Sequence, residues 1–336
     1  MPIAFVTGAT GLLGNNLVRL LLERGYDVRA LARSATKAHK QFAPHPALTI
    51  VEGDMARVEG FAPTLAGCDI VFHTAAFFRE SYRGGRHWGE LKAINVEGTA
   101  RLIEAVYAAG ARKFVHTSSI AVLDGPRGAL IDETMSRDEG DADDYYRSKI
   151  LSDRAVQDAL ARHSDLFACF VLPGWMHGPG DLGPTSAGQF TLDYLKRRLP
   201  GIPPGTFAFV DARDVALALI AAAEMGKRGE RYLAAGRHIS MAGIMQQYAT
   251  VTGIPAPRRA IPTALLWIVA ALQELTARLG GKPALMSLAT VRLMLREAER
   301  TRFDHRKSER ALGLSFRPIA DTIADEIDWF RNARMA

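Results

Sequence analysis

The sequence predicts an α/β protein: a doubly wound parallel sheet followed by a smaller C-terminal lobe. Three observations carry this reading. Short apolar runs alternate with helical stretches through residues 1–173, the pattern of a parallel sheet covered on both faces. A glycine triplet stands at the first strand–helix junction. Beyond Pro173 strands thin out and loops take over.

In chain order, 3–7 reads as a strand, and 12–24 has helical periodicity that stops at Gly25. Strands are expected over 26–32, 48–52, 69–74, 113–118 and 166–172, with helices over 61–66, 88–109 and 144–163 between them. Right-handed crossovers then wind the sheet in both directions. The segment 173–180 (Pro-Gly-Trp-Met-His-Gly-Pro-Gly) is loop chemistry. After it, helices are expected over 188–198, 212–225, 241–251, 262–279, 283–300 and 319–331, with one strand over 231–234. The 336 residues divide as a dinucleotide-binding unit over 1–173, with room for later segments to return to it, and a mainly substrate-binding lobe over 174–336.

Composition narrows the classes. With 48% hydrophobic and 23% charged residues, disordered and fibrous chains are excluded. The net charge of +6 is mild and lacks basic runs interleaved with aromatics, so no nucleic-acid partner is expected. The densest basic stretch, 292–310, also carries Glu297, Glu299, Asp304 and Glu309, as a solvated helix face does. No apolar stretch reaches the ~20 residues of a membrane span. The start, Met1 to Gly8, lacks the basic-then-apolar order of a secretory signal. Cys68 and Cys169 read as free thiols, which points to the cytoplasm. The histidines show no metal-ligand spacing, so no metal is expected.

The triplet Gly8, Gly11 and Gly14 sits where a strand turns into a helix. Glycines there let the chain turn sharply and let a pyrophosphate approach the outward-pointing amides of the helix N-terminus. Thr10 and Leu12 belong to the same candidate cradle. NAD-binding folds place an acid at the end of the second strand for the ribose 2′-hydroxyl. Here Arg33 stands in that region, with Lys37 one helical turn on. Cations suit a 2′-phosphate, so NADP is expected over NAD.

Tyr145 and Lys149 are four apart, on one face of a helical segment. They follow the strand ending in Thr117-Ser118-Ser119, and residues beyond the carboxyl ends of parallel strands face the ligand crevice. A phenol is a poor base near neutrality. A nearby ammonium and a cationic nicotinamide favour the phenolate. Tyr145 is therefore a candidate proton carrier, Ser119 a candidate hydrogen-bond partner for the substrate oxygen, and Lys149 the group that tunes the tyrosine.

The set Thr7 to Gly14, Gly53-Asp54, His73 to Ala76, Asn95 to Thr99, Thr117 to Ser119, Tyr145-x-x-x-Lys149, and Pro173 followed by Gly178-Pro179 resembles the extended short-chain dehydrogenase/reductases. These belong to the NAD-dependent epimerase/dehydratase superfamily, whose cofactor domain is a Rossmann fold. Within them the chain most resembles dihydroflavonol-4-reductase-like and hopanoid-associated sugar epimerase-like proteins. The resemblance spans nearly the whole chain. It implies that Gly8, Gly11 and Gly14 line the pyrophosphate and that Asp54 contacts the adenine. Ala75 and Ala76 would pass beside the cofactor, Thr117 would adjoin it, Lys149 would hold the nicotinamide ribose, and Pro173 and Gly174 would border the nicotinamide. It favours Ser119 over Ser118 as the catalytic serine and implies a homodimer paired through the helices over 88–109 and 144–163. One departure is the absence of Asn from 174–183, where sugar-nucleotide epimerases often use one on the diphosphate.

Phe78 and Arg79, with Phe77 and Trp88, follow the fourth strand and are candidate substrate contacts, as is His177 in the loop after Pro173. His73 and His116 lie within strands and read as core. The apolar residues of 262–279 read as core or lobe interface, with a membrane-surface role as the alternative. The leading functional expectation is an NADP-dependent carbonyl reductase or alcohol dehydrogenase. The alternatives are an NAD-dependent nucleoside-diphosphate-sugar epimerase or dehydratase and, outside the enzymes, a nucleotide-sensing regulator on the same fold.

Overall fold

A computed structural model describes residues 1–78, 87–280 and 288–336. The first half runs β1 (Ile3–Thr7), α1 (Leu12–Glu23), β2 (Asp27–Ala32), α2 (Ala35–Gln41), β3 (Leu48–Glu52), β4 (Ile70–His73), α3 (Trp88–Leu91), α4 (Gly98–Ala108), β5 (Lys113–Thr117), α5 (Asp144–Arg162) and β6 (Phe167–Pro173). The second half runs β7 (Trp175–His177), α6 (Ser186–Leu195), β8 (Thr206–Asp211), α7 (Ala212–Met225), β9 (Arg231–Ala234), β10 (Arg237–Ser240), α8 (Met241–Thr252), α9 (Thr263–Gly280), α10 (Leu288–Arg296), α11 (Arg306–Leu312) and α12 (Ile319–Asn332).

The large sheet has seven parallel strands in the order β3-β2-β1-β4-β5-β6-β9. Side chains alternate along each strand, so both faces need an apolar cover. Phe5 points to one side, packing with Val71, Phe114 and Phe170 under α4 and α5. Ala4 and Val6 point to the other, packing with Phe72, Leu17 of α1 and Leu219 of α7. The strand order reverses between β1 and β4, which opens a crevice at their carboxyl ends.

Helix α7 lies against α1, and β9 pairs with β6, so chain beyond Pro173 returns to the large sheet. The remaining segments build a second sheet, β10-β8-β7. Its core holds Phe209, Met245, Tyr248, Ile323 and Ile327.

Several elements differ from expectation. The helix expected over 61–66 is a single short 3-10 turn, Ala62–Leu65, with Pro63 in its first turn, where a missing amide is tolerated, and a second 3-10 segment, Met55–Gly60, precedes it. The helix expected over 88–109 contains a π turn at Lys92–Glu97. The loop expected over 173–180 contains strand β7. Strands β8 and β10 and helices α2 and α11 had not been read; all are short. The helix expected over 283–300 starts at Leu288 among the described residues.

Gly174 joins the two sheets. A Cβ there would lie 2.4 Å from the carbonyl oxygens of both Ala208 and Ala235. No side-chain rotation relieves a clash with two backbones. Gly174→Ala is expected to cost about 2 kcal/mol or more of unfolding free energy, read as a lower urea midpoint; an unchanged midpoint contradicts the close approach.

Candidate active site

The glycine turn is shaped by contact with the next strand end. Gly8 has φ +66, and a Cβ there would meet the backbone of Ala75 at 2.8 Å; a Cβ on Gly14 would meet the Gly8 oxygen at 2.2 Å. Helix α1 starts at Gly11 with no side-chain cap and no acid in its first turn. Its N-terminal amides and dipole are thus left for an anion. A glycine-walled turn ending in an uncapped helix fits a cofactor pyrophosphate, with Thr10 and Leu12 in the same turn. Asn15, Asn16 and Gln41 fasten the neighbouring loop over it. Asn15 Nδ2 and Gln41 Nε2 donate to Gly180 O at 3.1 and 2.9 Å, and Asn16 Nδ2 donates to Pro179 O at 2.8 Å. Two consecutive asparagines among the leucines and valine of the buried helix face are a legible signal, since Asn is a weak helix former.

Arg33 and Lys37 are exposed at the start of α2. Asp54 is partly buried and accepts from Ala56 N at 2.8 Å. Ala75 is partly buried and Ala76 exposed beyond β4.

From the turn a hydrogen-bonded chain runs inward. Thr7 Oγ1 and His73 Nδ1 are 2.8 Å apart, and Thr7 Oγ1 accepts from Thr74 N and Ala75 N at 3.1 Å each. His73 Nε2 lies 2.9 Å from Thr99 Oγ1, which donates to Asn95 O at 2.6 Å. Thr99 has spent its proton, so His73 carries its own on Nε2 and receives one from Thr7 at Nδ1. Burial, then the positive potential of His116 and Lys149, hold the His73 pKa well below its ordinary 6.5, keeping the ring neutral as this pattern requires.

Asn95, in the π turn, accepts from Phe77 N at 2.7 Å and donates to Phe77 O at 2.9 Å and Ser148 Oγ at 3.0 Å. Ser148 Oγ in turn donates to Tyr145 O at 2.7 Å. The glycine turn, the post-β4 loop and helix α5 are thus locked together. In the sequence, Asn95 and Thr99 stand out only as part of the family resemblance.

At the end of β5, Ser118 and Ser119 part company. Ser118 is buried and donates to Asp153 Oδ2 at 2.8 Å. Ser119 is partly exposed and accepts from Ala121 N at 3.1 Å. On α5, Tyr145 is buried, and Phe78 packs on its ring edge-to-face at 4.5 Å. Lys149 is buried, and its Nζ donates to Thr117 O at 2.8 Å. Burial lowers its pKa from 10.5 to about 8, against the opposing pull of Asp153. The Thr117 hydroxyl is buried without a hydrogen-bond partner. Behind Tyr146, the buried Arg137 donates to Ala121 O and Glu297 Oε2, both at 2.9 Å, and stacks on the Tyr146 ring.

The structure brings Ser119, Tyr145, Lys149, Thr117 and Phe78 to one end of the large sheet, with Pro173 and Gly174 closing the neighbouring strand. Trp88 packs into the cluster around Tyr145 and stacks under the Arg147 guanidinium. Arg79 lies outside the described residues. His177 is not at this site. Expected in a loop against substrate, it is instead in β7, fully buried, stacked on Phe209 and 3.2 Å from Glu326 Oε2. The alternation Trp-Met-His after Gly174 turns its side chain into the lobe core. His116 is also buried, 3.2 Å from Asp153. Among the described residues no group of histidines, cysteines and carboxylates could hold a metal, and both cysteines are buried and free.

Comparison with known proteins agrees with this fold. The family described as "NAD dependent epimerase/dehydratase family" matches residues 4–235. The chain belongs to this family. It is accordingly an NAD(P)-dependent enzyme of the extended short-chain dehydrogenase/reductase type. It is 36% identical to sterol demethylase protein B of Methylococcus capsulatus, over 98% of both chains. It is 33% identical to a putative dihydroflavonol 4-reductase of Synechocystis, over 98% of this chain and 94% of that one. The crystal structure of gox2253 superposes with a TM-score of 0.82 at 30% identity, covering 100% of this chain and 99% of that one.

The buried imidazoles set a pH dependence. Burial lowers the pKa of His73 and His116, and that of His305 to about 4, where its Nε2 accepts from Ala235 N. The unfolded chain takes up protons near pH 6.5 that the fold refuses. Stability is therefore full above pH 6.5 and falls as pH drops below it, by up to about 1.4 kcal/mol per pH unit for each such histidine. Urea midpoints are expected to decline between pH 7 and pH 5; a flat profile contradicts the neutral, buried rings.

Proposed function

We propose that the protein interconverts a carbonyl and an alcohol with a nicotinamide cofactor, NADP in preference to NAD. The observation that carries this is the buried Lys149, its ammonium held on Thr117 O, one helical turn beyond Tyr145 at the mouth of the sheet. When bound, the nicotinamide supplies or accepts the hydride. The chain does the rest. Ser119 and Tyr145 take the substrate oxygen, Tyr145 transfers the proton, and the nearby Lys149 charge favours the phenolate left behind. Hydride and proton together convert the carbonyl to the alcohol, and the reverse returns both. Lys149 also serves the cofactor ribose, Asp54 the adenine, and Ala75, Ala76, Pro173 and Gly174 the flanks of the cofactor.

The substrate class we favour is a bulky apolar alcohol or ketone. Phe78 and Trp88 line the approach to Tyr145, and partly buried Trp175, Phe190 and Phe207 form an aromatic wall in the second lobe. The full-length likeness to a sterol demethylase protein supports the same class. The nucleotide-sugar alternative has less support, because residues 174–183 offer no Asn for a diphosphate. We place the enzyme in the cytoplasm, as a homodimer paired through α4 and α5.

A screen of steroid-like and flavonoid ketones against nucleotide sugars, read by NADPH consumption, tests the reaction. Turnover of a nucleotide sugar without NADPH consumption points to an epimerase instead. On a working substrate, Tyr145→Phe is expected to lower kcat by ~10² or more while fold and cofactor binding survive. Ser119→Ala should lower turnover. Ser118→Ala should instead lower stability, by about 1–3 kcal/mol, because Asp153 loses a buried donor. Near-normal kcat in folded, cofactor-bound Tyr145→Phe removes Tyr145 as the proton carrier.

Arg33 and Lys37 form the proposed 2′-phosphate contact. Fluorescence titration should show NADPH binding more tightly than NADH, with Arg33→Ala erasing about tenfold of the difference, the scale of one charge-assisted hydrogen bond. Equal affinities in the wild type contradict the NADP assignment.

A further inference from the structure

Helix α9 is two-faced. Leu266 and Ala270 are buried against Val291 of α10, with Trp267, Leu288 and Met294 around them. Leu265, Ile268, Leu272 and Leu275 point the other way and are 46%, 56%, 57% and 55% exposed. The described residues expose eight large apolar side chains, and these four share one helix. At 3.6 residues per turn they fall within an arc of about 80°. Exposed Ala264, Ala271 and Thr276 border this arc. The acid of this helix, Glu274, is turned inward, accepting from Leu288 N at 2.9 Å. The expectation that 262–279 forms core or lobe interface therefore holds for one face only.

The surrounding charge is equally one-sided. Between Arg258 and Arg292 the sequence has five Lys or Arg and one Glu, a net +4. Arg258 and Arg259, just before α9, and Arg292 on α10 are exposed.

We infer that this face docks the enzyme on an anionic lipid bilayer, α9 lying in the plane of the headgroups with its leucine and isoleucine side chains in the acyl boundary. An uncharged apolar stripe flanked by arginines is the form of an interfacial helix, and anionic headgroups complement the basic flanks. Among the described residues no helix is long and apolar enough to cross a membrane, so the helix lies on the surface. A second copy is a poorer occupant: a two-fold contact sets each patch against itself and brings like charges together.

The helix pair is tied to the active-site side of the molecule. Arg137 pairs with Glu297, Arg127 donates to Leu295 O at 3.1 Å, and Arg296 reaches Asp141 O. These ties lead into the segment between Ser119 and Tyr145. The helix pair that carries the docked face is therefore joined to the segment that leads to the crevice.

Co-sedimentation of the full chain tests this independently of turnover. With vesicles of equal parts phosphatidylglycerol and phosphatidylcholine the protein is expected to pellet, about tenfold more strongly than with phosphatidylcholine alone, and less at high salt. The double variant Ile268→Glu, Leu272→Glu should lose about tenfold of that partitioning with unchanged circular dichroism and NADPH titration. Arg258→Glu, Arg259→Glu, which leaves the apolar stripe intact, should abolish the preference for anionic vesicles. Wild-type protein that stays in the supernatant overturns the proposal, as does a folded Ile268→Glu, Leu272→Glu variant that pellets like wild type. A wild-type dimer that this variant converts to monomer, without vesicle binding, assigns the face to a second copy and also overturns it.

Discussion

The hydroxyl of Thr7 donates to an imidazole that must be uncharged to receive the proton. This contact sits between the glycine turn and the end of β4. From it the path continues through Thr99 and Asn95 to Ser148 and the backbone of Tyr145. Each hydroxyl and amide along the path has one arrangement of donors and acceptors that satisfies its neighbours. A protonated His73 would leave Nδ1 with a second hydrogen facing Thr7, and a buried polar group without its partner is costly. The glycine turn and the helix bearing Tyr145 and Lys149 are therefore positioned by one polar seam rather than by separate elements.

The π turn at Lys92–Glu97 belongs to the same constraint. A regular helix from Trp88 onward would rotate Asn95 away from Phe77 and Ser148, because each residue advances the helix by about 100°. The extra residue in the turn aims the amide at both. Irregular backbone is thus found where a polar group must meet two partners at once.

The large sheet and most of its helices were legible because apolar runs of four to six residues, buried on both faces, leave a signal that no surface element imitates. The Tyr145–Lys149 pair was legible for a local reason, since a spacing of four is set by the helix alone. What could not be read is what depends on distant partners. Ser118 turns inward to Asp153, 35 positions later. His177 is held by Glu326, 149 positions later. Strand β8 is held between β10 and β7, and β10 pairs with β8 alone; local sequence carries little of that. The helix over 262–279 is a different case: periodicity showed it apolar on adjacent faces, and the fold decides which face meets α10.

The order in which the chain visits its two sheets has a consequence of its own. It leaves the large sheet at Gly174 for β7 and β8, returns through α7 and β9, then departs again through β10. A cut at Gly174 would strip away both the seventh strand and the helix that covers α1, leaving β6 as a bare edge with unpaired amides and carbonyls. Neither sheet can be excised as an autonomous fragment. Helix α11 comes back once more to α7 and β9 before α12 closes the second lobe, so exchange of one lobe between relatives requires several splice points rather than one, and new substrate specificity is more readily reached by substitution within the second lobe than by swapping it.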